Sequence, residues 1–257
     1  KRARFRVSMV VLVVSIAATA GFIAYITNKD SEPAAYISPP ESSITPQQQA
    51  EPTTAPPAFN SAQYATTDPA SIWFIVNKNI TLASTYVPAD LVVPNVPLQA
   101  AKSTQEMSLR RDVSANIEAM FAAAKEQGVQ LKLASGYRSY DLQEYYYNSL
   151  VRSLGAEEAN KVSAKPGTSE HQTGLVADIA SYSNDVCHLE TCFGTMPEGQ
   201  WLANNAHNFG FIIRYPQSKT AVTGYSYEPW HVRYVGKELA AELQKTGQAL
   251  EEFFGVQ

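Results

Sequence analysis

Two short segments of the chain combine the residue types that bind a transition metal and activate water. One reads SEHQTGLVAD over residues 169–178, and the other reads EPWH over residues 228–231. Together they offer two imidazoles and two carboxylates. Two histidines and an aspartate are nitrogen and oxygen ligands that suit a catalytic zinc with an open fourth position. Either histidine taken singly is explained equally well as a hydrogen-bonded core side chain.

The spacing within these two segments requires the chain to turn at both of them. His171 and Asp178 are seven positions apart, so on a straight strand their side chains would face opposite sides. Gly174 permits a turn or bulge that would bring both side chains to one ion. Glu228 and His231 are three positions apart, which is again the wrong parity for one strand face. Pro229 breaks the strand ladder between them and permits a shared site.

A third segment, SGYRSY over residues 135–140, has the makings of an anion site. It lies between a predicted strand and a helix that we expect to open near Asp141. The guanidinium of Arg138 offers several N–H donors, and the start of the helix offers free backbone N–H groups beside it. Gln143 can add another donor. An arginine that merely solvates the helix start is an equally good interpretation of this spacing.

The elements that must position these motifs alternate irregularly between strand and helix patterns. Strands are predicted over residues 72–76, 129–134, 211–213 and 231–235, and helices over residues 107–127, 141–154, 201–209 and 236–254. The regular strand–helix alternation of a doubly wound sheet is missing from this order. We therefore predict an α+β fold, an antiparallel sheet with helices packed on it.

Composition and charge narrow the class of protein. Of the 257 residues, 45% are hydrophobic and 17% are charged, which is typical of a globular chain. Lys and Arg number 20 against 24 Asp and Glu, and four of the basic residues lie in the first six positions. An acidic body without a basic run argues against nucleic-acid binding. No protein partner is evident from the sequence.

The N-terminal third predicts a membrane anchor followed by a tether. Residues 7–28 carry no charge, and this segment is long enough to cross a bilayer as a helix. The basic cluster before it predicts that the N-terminus lies in the cytoplasm. Cleavage after Ala20 is the alternative and would give a secreted protein. Residues 28–72 hold eight of the fifteen prolines and no glycine, so they predict a disordered linker. The expected divisions are an anchor at 1–27, a linker at 28–72 and one domain at 73–257.

Cys187 and Cys192 are the only cysteines, too few for a disulfide-built scaffold or a four-cysteine zinc module. Because we place the domain outside the membrane, a local disulfide between them is expected. A second metal site that includes His188 is the alternative.

Taken together, the motifs SGYRS, SxHxxGxAxD and ExWH, in this order over residues 135–235, resemble the VanY-type zinc D-alanyl-D-alanine carboxypeptidases and the similar LdcB-type L,D-carboxypeptidases. The resemblance implies a VanY/Hedgehog-like peptidase fold with one zinc ion in a cleft. It assigns the zinc to His171, Asp178 and His231, the catalytic base to Glu228, and substrate binding to Arg138. Further positions similar to the family's substrate cleft are Ser135, Gln143, Ser169 and Trp230.

The activity that this resemblance implies is removal of the C-terminal D-alanine from peptidoglycan stem peptides in a bacterial cell wall. The motifs are shared by D,D- and L,D-carboxypeptidases, and we expect D,D specificity, with L,D action on tetrapeptide stems as the alternative. A zinc endopeptidase that cuts cross-links is a narrower alternative. A non-catalytic, metal-stabilised wall-binding domain is an alternative of another class, but it would not need the base at Glu228.

Overall fold

The computed structural model describes residues 64–256, which form an α+β fold. The strands are β1 (Leu91–Val92), β2 (Leu109–Arg110), β3 (Leu131–Ser135), β4 (Val176–Ser181), β5 (Phe211–Tyr215) and β6 (Glu228–Tyr234). The α-helices are α1 (Arg111–Glu126), α2 (Tyr140–Leu154), α3 (Ala156–Val162), α4 (Pro197–Asn205), α5 (Thr220–Thr223), α6 (Lys237–Thr246) and α7 (Leu250–Phe254). Single 3₁₀ turns lie at Glu170–Thr173, Thr191–Thr195, Ala206–Phe209 and Gln217–Lys219.

A four-stranded antiparallel sheet in the order β3-β4-β6-β5 organises the domain, as predicted, and β1 pairs with β2 in a separate two-stranded ribbon. Every residue of β4 is buried, which its run of small and apolar residues favours. On this strand Asp178 pairs with Ser135 of β3 on one side and with His231 of β6 on the other. Directly opposed residues project to the same face, so the sheet itself brings Asp178 and His231 together.

Helix α1 supplies much of the core. Its apolar positions recur at helical spacing, and Val113, Ile117 and Met120 are completely buried together with residues of β3, β4 and α4. Burying each of these side chains contributes roughly 1.5 to 3 kcal/mol relative to exposure. The helix is followed by Gly128 at φ 79°, a left-handed conformation that glycine adopts without strain.

Three sequence-based expectations differ from the structure. Residues 72–76, predicted as a strand, form an irregular segment that does not pair with the sheet. Their apolar character serves the core instead, since Phe74, Ile75 and Val76 are buried. The predicted helix at 236–254 is two helices, α6 and α7, because Gly247 ends α6 at φ 68°. Packing also begins before residue 73, since Tyr64 is buried and its ring meets that of Trp73 at 4.4 Å.

The predicted membrane anchor and most of the predicted linker lie outside the described residues. Within residues 64–256, no helix has the length and apolar character needed to cross a membrane.

Candidate active site

A turn between two elements brings His171 and Asp178 to one place. His171 lies in the 3₁₀ turn Glu170–Thr173, and Gly174 follows at φ 66° before β4 begins. A side chain at Gly174 would also come within 2.9 Å of Leu91, so glycine is needed there for both conformation and space. This is the turn that the spacing of the two ligands required.

A backbone hydrogen bond fixes the orientation of the His171 ring. Its Nδ1 lies 2.6 Å from the carbonyl oxygen of Gly136, which can only accept, so Nδ1 carries the proton and donates it. The unprotonated Nε2 then faces Asp178 Oδ2 at 3.3 Å. Residue 136 must be glycine, because a Cβ at this position would lie 2.5 Å from the carbonyl oxygen of Ser108. The glycine of the SGYRS motif therefore orients a metal ligand.

A bulge in β6 brings Glu228 and His231 to the same site. Ile213 of β5 pairs with Val232 of β6, and Tyr215 pairs with Glu228. These two pairs are two residues apart on β5 but four residues apart on β6, so β6 bulges between them. Regular alternation of side chains fails across this irregular stretch, so the odd sequence spacing does not force Glu228 and His231 to opposite faces. As a result His231 Nδ1 lies 3.4 Å from Glu228 Oε2.

The three predicted ligands fit a single zinc ion. One ligand atom from each of His171, Asp178 and His231 lies within 4.8 Å of the others, and all three side chains are buried. His231 Nδ1 is 3.1 Å from Asp178 Oδ1, yet this carboxylate oxygen has no hydrogen-bond partner among residues 64–256. Nitrogen and oxygen atoms that converge in one buried space suit a cation, and the donor set is that of catalytic zinc.

Glu228 stands beside this group without belonging to it. Its side chain is 21% exposed and faces the cleft, whereas the ligand carboxylate of Asp178 is 6% exposed. Burial, opposed by the His231 imidazole and reinforced by the Asp178 carboxylate, raises the pKa of Glu228 to about 7 in the metal-free protein. A half-buried carboxylate that faces the cleft next to a metal site is the arrangement of a general base.

The cleft at this site has a volume of about 180 Å³. Its lining includes the three ligands and Glu228, together with Arg138, Val162, Ser163, Ala164, Ser169, Glu170, Leu189, Tyr215, Tyr225 and Trp230. Two of the residues expected in the substrate cleft, Ser169 and Trp230, therefore do line it.

Ser135 and Gln143 have a different place from the one expected. Within the described part of the chain, neither belongs to the cleft lining, and both are almost completely buried. Gln143 Oε1 accepts a hydrogen bond from Arg138 at 2.9 Å, and Ser135 Oγ accepts one at 3.3 Å. Gln143 is itself held by bonds to Ser163 and Ala164. Both residues therefore hold the guanidinium of Arg138, which lines the cleft.

Cys187 and Cys192 are joined in a disulfide, and the loop they close carries Leu189 to the wall of the cleft. Leu189 has φ 52°, one of two non-glycine residues at positive φ in the described region. The sequence indicated the pairing but not this role, because nothing local shows that the loop folds over the site.

The sequence assigned no role to Glu170 or Tyr215. Glu170 stands next to His231, and the Tyr215 ring lies 4.9 Å from the His231 ring. A usable signal was present for Glu170: Arg214 follows the predicted apolar strand at 211–213 and Arg233 follows Val232 within the predicted strand at 231–235, and buried arginines require a buried carboxylate.

An antiparallel sheet that gathers two histidines, an aspartate and a separate glutamate in a cleft defines a zinc hydrolase. Residues 106–237, more than half of the chain, match the VanY family of D-alanyl-D-alanine carboxypeptidases. The chain belongs to this family, and it is a zinc-dependent metallo-carboxypeptidase, as the resemblance predicted.

Two relatives illustrate the likeness in sequence. YodJ of Bacillus subtilis, which is named as a carboxypeptidase, is 43% identical over 187 residues, covering 73% of this chain and 68% of YodJ. The D-alanyl-D-alanine carboxypeptidase of Enterococcus faecalis is 36% identical over 177 residues. That match covers 63% of this chain and 61% of the enterococcal protein, so the chain spans less than two thirds of its length.

Two solved structures share the fold. The LdcB LD-carboxypeptidase superposes with a TM-score of 0.70 at 43% identity, covering 74% of this chain and 89% of LdcB. The vancomycin-resistance D,D-pentapeptidase VanY, a mutant in complex with Zn(II), superposes with a TM-score of 0.56 at 32% identity, covering 70% of this chain and 97% of VanY.

Proposed function

We propose that this protein removes the C-terminal D-alanine from peptidoglycan stem peptides. The observation that carries the proposal is the cleft in which a buried zinc-ligand trio, a separate carboxylate and a supported arginine all meet. A carboxypeptidase needs these three functions: a Lewis acid, a proton carrier and a group that binds a terminal carboxylate.

The residues of the cleft divide this work. Held by His171, Asp178 and His231, zinc would act as a Lewis acid for the attacking water and the scissile carbonyl. Glu228 accepts the proton of that water as it adds to the carbonyl carbon. It then delivers the proton to the amine nitrogen as the C–N bond breaks. Arg138 offers N–H donors to an anion, either the terminal carboxylate or the developing oxyanion.

The bond that is cut lies before a terminal D-alanine, and two kinds of stem present such a bond. Our sequence-based expectation is the D-alanyl-D-alanine bond of a pentapeptide stem, in agreement with the family to which the chain belongs. L,D cleavage of a tetrapeptide stem is the second candidate. The observation that favours it is the higher TM-score and identity with the LD-carboxypeptidase LdcB than with the D,D-pentapeptidase VanY.

The experiment is incubation of the purified protein with pentapeptide and tetrapeptide stems, followed by mass analysis of the products. Loss of one D-alanine from the pentapeptide alone supports D,D specificity, and loss from the tetrapeptide alone supports L,D specificity. Product formation should stop when a chelator removes zinc and return when zinc is restored. If neither stem is shortened by the zinc-loaded protein, the proposed activity is wrong.

We further propose that residues 1–27 anchor the protein in the cell membrane and that the proline-rich segment after residue 27 tethers the domain outside it. The support is the uncharged N-terminal segment preceded by basic residues and followed by a proline-rich stretch. Membrane fractionation of the full-length protein tests this. A soluble chain that begins at Gly21 would show cleavage after Ala20 instead.

A further inference from the structure

Two arginines and two glutamates form a fully buried ionic network behind the zinc site. Arg214 donates from Nε to Glu170 Oε1 at 2.9 Å and from a terminal nitrogen to Glu251 at 2.9 Å. Arg233 donates to the same Glu170 oxygen at 2.7 Å. Side chains of this network are at most 2% exposed. Two positive and two negative charges balance, as burial of ionic groups requires.

Only one oxygen of Glu170 is used by this network. Its other oxygen, Oε2, has no hydrogen-bond partner among residues 64–256, and neither does His231 Nε2. These two unsatisfied buried atoms face each other at 3.8 Å. A movement of roughly 1 Å would bring them to hydrogen-bonding distance. Because unpaired buried polar atoms are costly, a hydrogen bond between these two atoms would satisfy both of them.

We propose that Glu170 is a positioning residue for zinc binding: it accepts a hydrogen bond from His231 Nε2–H and so presents His231 Nδ1 to the metal. The inference rests on the proposed zinc chemistry of this site. Nδ1 is the nitrogen that faces Asp178 and Glu228, at 3.1 and 3.4 Å, so Nε2 is the nitrogen left to carry the proton. A carboxylate behind a ligating histidine fixes its tautomer and ring orientation.

The arrangement gives the two histidine ligands opposite tautomers. His171 donates from Nδ1 to Gly136 and presents Nε2, whereas His231 donates from Nε2 to Glu170 and presents Nδ1. Glu170 and His171 are neighbours on one 3₁₀ turn. This turn therefore supplies one ligand itself and orients the other from behind. The two arginines hold the Glu170 carboxylate in place, since both bind its Oε1.

The test compares Glu170→Gln with Glu251→Gln. Both variants remove one carboxylate from the same buried network, but Glu251 binds Arg214 whereas Glu170 faces His231. Zinc affinity, measured by competition with a chelator, should fall about 10- to 100-fold in Glu170→Gln, the usual cost of losing such a partner, and remain near wild type in Glu251→Gln. Thermal unfolding of both metal-free variants measures the structural loss that they share.

Equal zinc affinities in the two variants would overturn the inference. This failure is distinguishable from failure of the proposed function, because wild-type protein would then still bind zinc and shorten stem peptides while Glu170 had no special role in zinc binding. If wild-type protein binds no zinc, the proposed function and this inference fail together.

A second measurement needs no variant and so does not depend on Glu170→Gln folding. Nitrogen NMR of the imidazoles in the zinc-loaded wild-type protein should show His231 protonated on Nε2 and His171 protonated on Nδ1. Protonation of His231 on Nδ1, or the same tautomer in both rings, would refute the inference.

Discussion

Replacing Glu228 with glutamine should separate catalysis from metal binding. Glutamine keeps the size of the side chain but cannot accept and release the proton of the attacking water. Glu228 is outside the ligand trio and its Oε2 lies 3.4 Å from His231 Nδ1, so zinc should stay bound at one equivalent. Loss of a general base typically lowers the rate by about 10² to 10⁴. This corresponds to about 3 to 5 kcal/mol of transition-state stabilisation.

The assay pairs zinc stoichiometry with kcat for D-alanine release from a stem peptide. Glu252→Gln is a matched control, since Glu252 pairs with Lys219 away from the cleft and should retain wild-type kcat. His171→Ala should lose zinc and activity together, because it removes a ligand. Near-normal turnover in Glu228→Gln would refute the assignment of the base. Loss of zinc from this variant would show instead that Glu228 is a ligand.

Three further predictions concern the surroundings of the site. Arg138→Ala should raise KM for a peptide with a free C-terminal carboxylate at least tenfold and leave zinc content unchanged; an unaltered KM would remove Arg138 from substrate binding. The double Cys187→Ser and Cys192→Ser variant should fold and lose only about 2 kcal/mol of stability in denaturant unfolding, because the closed loop is short; an unfolded variant would contradict this. Glu106 gives a pH dependence: burial raises its pKa, but hydrogen bonds from the Ser103 backbone and from Lys102 outweigh this and lower the pKa to about 2. Because the folded pKa is depressed, the stabilisation is complete above about pH 4.5 and is lost as pH falls toward 2. This contribution of Glu106 to the free energy of unfolding amounts to about 1 to 2 kcal/mol after screening by solvent. In Glu106→Gln the free energy of unfolding should therefore fall less steeply as the pH is lowered toward 2. An unchanged acid dependence would refute this role of Glu106.

The sequence by itself determined the local features of this protein. Helical spacing predicted α1 and α2 to within a few residues, and alternation and apolar runs predicted most of the sheet strands. The ligand types and the need for a turn at Gly174 followed from residue chemistry and from the fixed side-chain period of a strand. These properties depend on residues that are close together in the chain, so they can be predicted from one sequence.

The tertiary structure decided what depends on contacts between distant segments. The bulge that aligns Glu228 with His231 arises from the register between β5 and β6, and no local pattern fixes such a register. The burial of Gln143 behind Arg138 depends in the same way on how α2 packs against the segment that follows α3. Glu170 gains its place beside His231 because two arginines from neighbouring strands converge on it. The motifs therefore indicated which residues do the chemistry. Strand register and packing decided which residues hold them in position, because those contacts join segments that are far apart in the chain.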